Sequence, residues 1–385
     1  MTKLVVADGS DISVVDARGG EQTARIPPHP SGRLANRQPV WAPDGKTLAW
    51  SAYDRRRSDA PTIVSIMDVS TGARADHELV FPAFYLHWRP DGRSLAALSE
   101  GPLGIELTVV DVADGTQRIV SRGTPHFLDW SSAGELCVHV GQGTDHRVEI
   151  VAGNGALDVM PIEQRPGRFT APAWRGTDEF VVSLQFDGNR SIALVGRDGR
   201  VRRELAVARG MSRFAMSSDL RHLALVDSTE IPLGHPTLAG RPNPEPRPGV
   251  PLATPDRLVV QDLVDDTMHT VADQPPMSMA WSHDGTKLLY SVRIERGEPP
   301  LLQWYVWSVE GVQALSMFRP SSMITREYLP FAEQYARSRS VWSPDGTAFC
   351  FAGSDLEGHE GVWVHPLDRR AERLCSGHVA FWAPA

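Results

Sequence analysis

The chain has 385 residues, 41% of them hydrophobic, and a formal net charge of −8. This composition excludes a largely disordered chain, and the acidic balance argues against a general nucleic-acid binder, whose surface is usually basic. No stretch approaches the roughly 18 apolar residues that a membrane helix needs, and the apolar run at the N-terminus is too short for the core of a signal peptide. We therefore expect a globular protein without membrane insertion.

A short phrase, a tryptophan followed by a tight turn, recurs along the chain. Residues 40–45 read VWAPDG and residues 341–346 read VWSPDG, with related phrases between them. Proline pre-sets the first turn angle, aspartate bonds its neighbouring backbone, and glycine accepts a positive φ. Each copy therefore predicts a β-hairpin whose inner strand ends in a bulky residue, which we call the anchor. The anchors are Trp41, Trp88, Trp130, Trp174, Met216, Trp281, Trp342 and Trp382.

The spacing of the anchors predicts the structural unit. Neighbouring anchors lie 40 to 47 residues apart, except for two intervals of 65 and 61 residues. About 42 residues is the length of a four-stranded propeller blade. The Trp-Ser-Pro-Asp-Gly signature resembles the TolB-like, WD40-like (PD40) β-propeller repeats over nearly the whole chain. The resemblance implies an all-β fold, in a family that contains both binding scaffolds and the propeller parts of peptidases.

The two ends of the chain complement each other. Residues 377–382 supply an inner strand with no strands after it, and residues 3–26 supply three strands with no inner strand before them. Pairing these segments closes the ring and removes exposed sheet edges. The sequence therefore predicts one domain over residues 1–385, an eight-bladed propeller closed by a 1+3 blade. Seven blades is the alternative if the weak repeat around Met216 is misread.

The two long intervals contain insertions. Residues 228–255, rich in proline, lie between the second and third strands of one blade, and residues 318–338 connect the last strand of a blade to the first strand of the next. Propeller connectivity places both insertions on one face, and long loops inside a compact period are usually functional. We expect a lid or a partner-docking surface over the channel mouth, with plain decoration as the alternative.

The second insertion has helix-forming residues. Ser321 or Ser322 is the expected cap, and Pro330 is expected to divide the segment into two short turns. Its aromatic residues are predicted to be exposed and to contact a partner. They are Tyr328, Phe331 and Tyr335.

The first residues of the inner strands are predicted to line the channel mouth on the same face. Several of them are basic, which would give an acidic protein a basic mouth suited to a carboxylate, a phosphate or an acidic peptide. The alternative is that they bond backbone carbonyls and waters in a wet channel. The candidate binding residues at the mouth are Arg37, Tyr85, His126, Arg213, Arg339 and His378.

Local motifs of the common catalytic sites are missing from the sequence. No serine has glycine at both −2 and +2, and there is no CxxC pair, HExxH motif or phosphate-binding loop. We expect no metal and no cofactor. The leading hypothesis is a non-catalytic bacterial scaffold that is monomeric alone and binds a protein or peptide. The alternatives are an enzyme (hydrolase, lyase or cyclase) with its site at the channel mouth, and a sensor of a small anionic ligand. Three widely spaced cysteines predict reduced thiols in the cytoplasm.

Overall fold

The structure is a computed structural model. It describes residues 2–29, 32–54, 62–141, 146–152, 159–168, 170–228, 250–251, 253 and 255–385. Nearly all of the insertion predicted at 228–255 lies outside the described residues. No helix in the described part of the chain is long and apolar enough to cross a membrane.

The described chain folds almost entirely into β-strands. In order they are β1 (Lys3–Asp8), β2 (Asp11–Asp16), β3 (Gln22–Ile26), β4 (Ala35–Trp41), β5 (Thr47–Tyr53), β6 (Thr62–Asp68), β7 (Arg74–Leu79), β8 (Ala83–Trp88), β9 (Ser94–Gly101), β10 (Gly104–Asp111), β11 (Gln117–Arg122), β12 (His126–Trp130), β13 (Leu136–Val140), β14 (Arg147–Val151), β15 (Val159–Pro161) and β16 (Ala173–Arg175). They continue with β17 (Glu179–Phe186), β18 (Asn189–Gly196), β19 (Val201–Ala208), β20 (Met211–Met216), β21 (His222–Ser228), β22 (Leu258–Asp262), β23 (Thr267–Ala272), β24 (Ser278–Trp281), β25 (Leu288–Glu295), β26 (Leu301–Ser308), β27 (Gly311–Pro320), β28 (Ala348–Ser354), β29 (Glu360–Pro366), β30 (Glu372–Cys375) and β31 (Val379–Trp382). Between β27 and β28 lie a π-helical turn (Ile324–Tyr328), a 3₁₀ turn (Leu329–Phe331) and the helix α1 (Ala332–Ser338).

Consecutive strands pair into antiparallel sheets. Strands β4–β7, β8–β11, β12–β15, β16–β19 and β20–β23 form four-stranded sheets, and β31 joins the N-terminal strands in the order β3-β2-β1-β31. Leu4 lies opposite Trp382, which confirms the predicted pairing of the two chain ends. Strands β24–β30 form one seven-stranded sheet, in which β27 and β28 pair only at their ends. Because this sheet contains a four-stranded unit and three further strands, the number of blades stays a prediction.

The repeated tryptophan joins neighbouring sheets. The indole N–H of Trp88 donates to the carbonyl of Val40 at 3.3 Å, and the indole of Trp130 donates to His87 at 3.2 Å. In each case the acceptor directly precedes the anchor of the previous sheet. The same bond is made by Trp174 to Asp129, by Trp281 to Ala215 and by Trp342 to Ala280. In these five sheets the anchor therefore fixes the sheet against its predecessor as well as ending an inner strand.

The turn after the anchor keeps its geometry when its sequence changes. In the first copy, the Asp44 carboxylate accepts the N–H groups of Lys46 and Thr47 at 2.8 Å, and Gly45 has a φ of 61°. In the copy without glycine, Leu220 takes a φ of 62°. A left-handed residue with a side chain costs about 1–2 kcal/mol, and the turn's own hydrogen bonds offset that cost. The Asp219 carboxylate accepts the Arg221 N–H at 3.0 Å, and the Ser217 hydroxyl accepts the His222 N–H at 2.8 Å.

The first strands of the sheets surround a central channel. β4 contacts β8, β12 contacts β16, and β20 contacts both β16 and β24. The hydrophobic core lies between neighbouring sheets, whose buried faces are rich in alanine, valine, leucine and the anchors. The residues that begin these inner strands consequently lie around the channel.

Candidate functional site

Residues 321–339, which we call the central segment, fold into the channel. The helix α1 contacts the inner strands β8, β12, β20 and β24. The hydroxyl oxygen of Ser321 accepts the N–H of Ile324 at 3.1 Å, so Ser321 caps the first turn. Pro330 lies in the 3₁₀ turn between that turn and α1, as its fixed φ predicts.

The aromatic residues of the central segment are mostly buried. Tyr328 is 5% and Tyr335 8% exposed, while Phe331 is 36% exposed. The ring of Tyr335 lies 4.5 Å from that of Tyr328 and 5.2 Å from that of Tyr85, between centroids. Burial raises the pKa of Tyr328 to about 12. The predicted exposure is therefore wrong for Tyr328 and Tyr335, because both rings fill the space that the inner strands leave open.

Arg339 is buried at the end of the central segment. Its guanidinium donates to the carbonyls of Pro39 and Gln38 at 3.2 Å and of Leu86 at 3.3 Å. The same group lies over four aromatic rings at 5.0 to 5.9 Å from their centroids. Those rings belong to Tyr335, Tyr85, Tyr328 and Phe381. Arg339 thus ties the segment to β4 and β8 and is not available to a ligand.

Gln334 attaches α1 to the edge of β12. Its side-chain amide donates to the Leu128 carbonyl at 2.8 Å and accepts the Leu128 N–H at 3.0 Å. The backbone carbonyl of Gln334 accepts the Tyr85 hydroxyl at 3.0 Å. One glutamine therefore satisfies backbone groups of an inner strand in the way that a neighbouring strand would.

Two mostly buried ion pairs hold α1 between two of the sheets. Arg213 on β20 lies 2.8 Å from the carboxylate of Glu333, and Arg337 lies 2.7 Å from that of Asp129 on β12. Burial raises the pKa of Asp129, and the Arg337 guanidinium partly offsets that rise. Because Arg213 and Arg339 are both engaged inside the protein, the expected basic mouth is wrong at these two positions.

Replacing Arg337 by methionine is expected to lower the free energy of unfolding by about 3 kcal/mol, because the Asp129 carboxylate then stays buried without a cation. Adding Asp129→Asn to the same chain should recover about 1–2 kcal/mol, since a neutral amide needs no counter-charge. Urea unfolding of the two variants measures this. Arg25→Met, which breaks an exposed pair with Asp11, is the control and should leave stability nearly unchanged. Equal costs for the single and double variants would contradict the pairing.

Two predicted mouth residues lie apart from the central segment's main contacts. The His378 imidazole is 3.3 Å from the Asp8 carboxylate, and both side chains are about half exposed. Arg37 is partly buried on β4, where its positive charge offsets part of the raised pKa of Tyr328. The structure therefore does not bring the six predicted mouth residues into one site.

A cavity of about 460 Å³ lies between the central segment and the sheets β4–β7, β8–β11 and β12–β15. We call it the His126 cavity. Its lining is mainly aromatic and aliphatic, with six polar side chains, and the exposed residues Arg326 and Phe331 form part of its rim. The lining residues are Gln38, Tyr53, Phe84, Tyr85, Leu98, Ile105, Thr124, Pro125, His126, Phe127, Arg326, Glu327, Phe331, Gln334 and Tyr335. Four of the nine predicted binding residues meet here: Tyr85, His126, Phe331 and Tyr335.

His126 is the unusual group of this cavity. It is 4% exposed, and neither ring nitrogen forms a hydrogen bond with any described residue. Burial, with a smaller contribution from the charge of Arg147, lowers the pKa of His126 to about 3. The nearby Gly123 carbonyl offsets a little of this shift without reaching hydrogen-bond geometry. The imidazole is therefore neutral at pH 7 and retains its hydrogen-bonding capacity.

Gln38 forms the opposite wall of the cavity in a strained conformation. It has a φ of 54°, at a β-bulge where the pairing of β4 with β5 shifts register. The side chain accepts from Arg339 at 3.2 Å and donates to Glu327 at 3.4 Å. Strained residues cluster at binding sites, where the surrounding structure maintains them.

Other polar clusters in the described residues are satisfied or exposed. The ring nitrogens of His139 lie 2.7 Å from the His146 Nε2 and 2.9 Å from the Thr170 carbonyl, which gives both nitrogens a partner. Asp355, Glu357 and His359 are close enough together to hold a metal ion, but they lie in an exposed loop where Asp355 already accepts backbone N–H groups. Neither cluster has the buried, unpartnered group that the His126 cavity has.

Sequence reasoning missed Glu327, Glu333, Gln334 and Arg337. A signal was present in the spacing of Glu333 and Arg337, which puts two opposite charges on adjacent turns of a predicted helix. The sequence does not reveal that these charges pair with inner strands, because their partners Arg213 and Asp129 lie more than 100 residues away.

Comparison with known proteins shows the fold. No family model and no curated protein matches the chain. The dihydro-heme d1 dehydrogenase NirN in complex with DHE is 14% identical, with a TM-score of 0.60 over 98% of this chain and 74% of that one. A eukaryotic initiation factor is 11% identical, with a TM-score of 0.56 over 100% of this chain and 98% of that one. The β-propeller domain of the trilobed protease from Pyrococcus furiosus is 14% identical, with a TM-score of 0.52 over 90% and 99%.

The protein is a β-propeller. Sequence identities below 25% show that the fold is shared but do not show a shared function. Propellers occur in both catalytic and non-catalytic proteins. The function of this propeller therefore depends on the residues of its own site.

Proposed function

We propose that the protein is a non-catalytic propeller that binds a small molecule in the His126 cavity. The observation that carries the proposal is His126, a buried imidazole with no hydrogen-bond partner among the described residues. Buried polar groups in folded proteins are nearly always bonded, and an unmet one costs about 1–3 kcal/mol. A ligand that bonds His126 removes that cost.

The size and lining of the cavity support the same proposal. Small-molecule sites have volumes of about 300–1,000 Å³ and mostly apolar walls with a few placed polar groups. The His126 cavity has about 460 Å³, aromatic walls and the polar side chains of Gln38, Thr124 and Glu327. The strained backbone of Gln38 beside it is a further feature of binding sites.

This proposal differs from the leading sequence hypothesis. Docking of a protein or peptide relied on exposed tyrosines, and Tyr328 and Tyr335 are buried. The enzyme hypothesis relied on His126, Arg213 and His378, which have separate surroundings: Arg213 pairs with Glu333 and His378 lies beside Asp8. A TolB-like PD40 propeller, monomeric and located in the bacterial cytoplasm, remains part of the proposal. The repeat phrase and the three unpaired cysteines support it.

The experiment is mass spectrometry of small molecules released from the protein after purification from its own host. Wild type is expected to release one compound in near-stoichiometric amount, and His126→Leu at least roughly 10-fold less, since its partner bond is lost. His359→Leu, in the exposed loop before β29, is the matched control and should release as much as wild type. Release of no compound, or of equal amounts from all three proteins, would contradict the proposal.

A further inference from the structure

The charges around the His126 cavity are already balanced. Arg326 and Glu327 are adjacent and of opposite sign, and Glu327 accepts from Gln38. The two arginines nearest the centre are engaged elsewhere, Arg213 by Glu333 and Arg339 by backbone carbonyls. Because the cavity is lined by one positive and one negative side chain, a buried ion would lose its hydration without gaining a net counter-charge, which is unfavourable.

The walls of the cavity are suited to a flat ring. Phe127 and Phe331 lie edge to face, with centroids 6.1 Å apart and ring planes at 69°. Phe84 and Tyr53 also line the space. Aromatic walls favour offset-stacked and edge-to-face contacts with another ring over contacts with a flexible chain. Because Phe331 is 36% exposed, a ring that packs against it also removes apolar surface from water.

His126 determines which polar group the ring must carry. A neutral imidazole has one N–H and one lone pair. Either tautomer leaves one ring nitrogen with a lone pair, and no described residue donates to it. A ligand that supplies a donor satisfies that lone pair.

Resting on the proposed function, we infer that the ligand of the His126 cavity is an uncharged molecule with an aromatic ring that carries a hydroxyl or N–H group, and that this group donates to His126. The ring packs against Phe127 and Phe331. The donor satisfies the imidazole that the protein itself leaves without a partner.

Four probes test the inference: indole, N-methylindole, indole acetate and tryptamine. Their dissociation constants are measured at pH 7.5 by ligand-observed NMR. Indole is expected to bind about 10-fold more tightly than N-methylindole, which lacks the donor and leaves His126 unsatisfied. It is also expected to bind about 10-fold more tightly than the anion and the cation, which must be desolvated. In the His126→Phe variant, the dissociation constant of indole should rise to that of N-methylindole.

Phe331→Ala reports on the location of the probes without depending on His126. Phe331 is partly exposed, so this variant is expected to fold, and it should weaken all four probes. If indole and N-methylindole bind equally and Phe331→Ala weakens both, the claim that the ligand donates to His126 is overturned. The location of the site is then still supported. If indole acetate or tryptamine binds more tightly than indole, the claim that the ligand is uncharged is overturned. Binding of no probe, or binding that neither variant alters, would overturn the inferred ligand class. The proposed function would fail as well only if the wild-type protein also released no compound on purification.

Discussion

Lowering the pH from 7 to 5 is expected to reduce the free energy of unfolding by up to about 6 kcal/mol. Three histidines are responsible, because burial lowers the pKa of His87, His126 and His139 to about 3. In the unfolded chain a histidine has a pKa near 6.5. Between these values the unfolded state binds more protons, so stability rises with pH and is lost as the pH falls below about 6.5. A loss of this size is comparable to the whole stability of many domains.

The charges that face these histidines act in the same direction as burial. Arg337 and Arg339 lower the pKa of His87 further, and Arg147 does so for His126. The raised pKa of Asp129 acts in the opposite sense and reduces the net slope. Urea unfolding at several pH values measures the effect.

His139→Asn provides the control for the pH effect. Asparagine can still donate to the Thr170 carbonyl but does not titrate, so the slope between pH 7 and 5 should fall by about a third. A stability that is flat between pH 7 and 5 would contradict the burial of these three groups.

Replacing Arg339 by methionine is expected to lower the free energy of unfolding by about 4 kcal/mol. Methionine fills similar volume but removes every bond to the carbonyls of Pro39, Gln38 and Leu86, which remain buried. It also removes the cation from the faces of four aromatic rings, each such contact being worth about 0.5–2 kcal/mol.

The matched control is Arg326→Met, on the same segment but exposed to solvent. Its stability is expected to stay close to that of wild type. Hydrogen exchange of residues 321–339 gives a second readout, because loss of Arg339 should open the central segment before the sheets unfold. If Arg339→Met were as stable as Arg326→Met, the packing of the segment inside the channel would be contradicted.

The repeated phrase predicted most of the fold because its information is local. Proline, aspartate and glycine after an anchor determine a hairpin by their own dihedral preferences. The pairing of β31 with β1 also followed, since residues 377–382 supply an inner strand and residues 3–26 supply three strands that lack one. The turn at Leu220 formed without glycine, because Ser217 and Asp219 accept the backbone N–H groups that close it.

The site was harder to predict because its contacts are distant in sequence. Nothing near Gln334 indicates that it will bond Tyr85 and Leu128, which lie 249 and 206 residues away. A short segment with aromatic residues is compatible with an exposed lid or a buried plug, and only the width of the channel decides between them. The availability of the arginines at the mouth was mispredicted for the same reason. Their partners, Glu333 and backbone carbonyls, cannot be recognised from the repeat pattern.

The central claim is that residues 321–339 fill the channel and leave beside them a cavity that binds a small neutral molecule at His126. A crystal structure of the wild-type protein grown with indole tests it most directly. We expect α1 against β8 and β12, and indole packed against Phe127 and Phe331 with its N–H within about 3.2 Å of a ring nitrogen of His126. A central segment lying outside the channel, or indole bound only away from His126, would contradict the account.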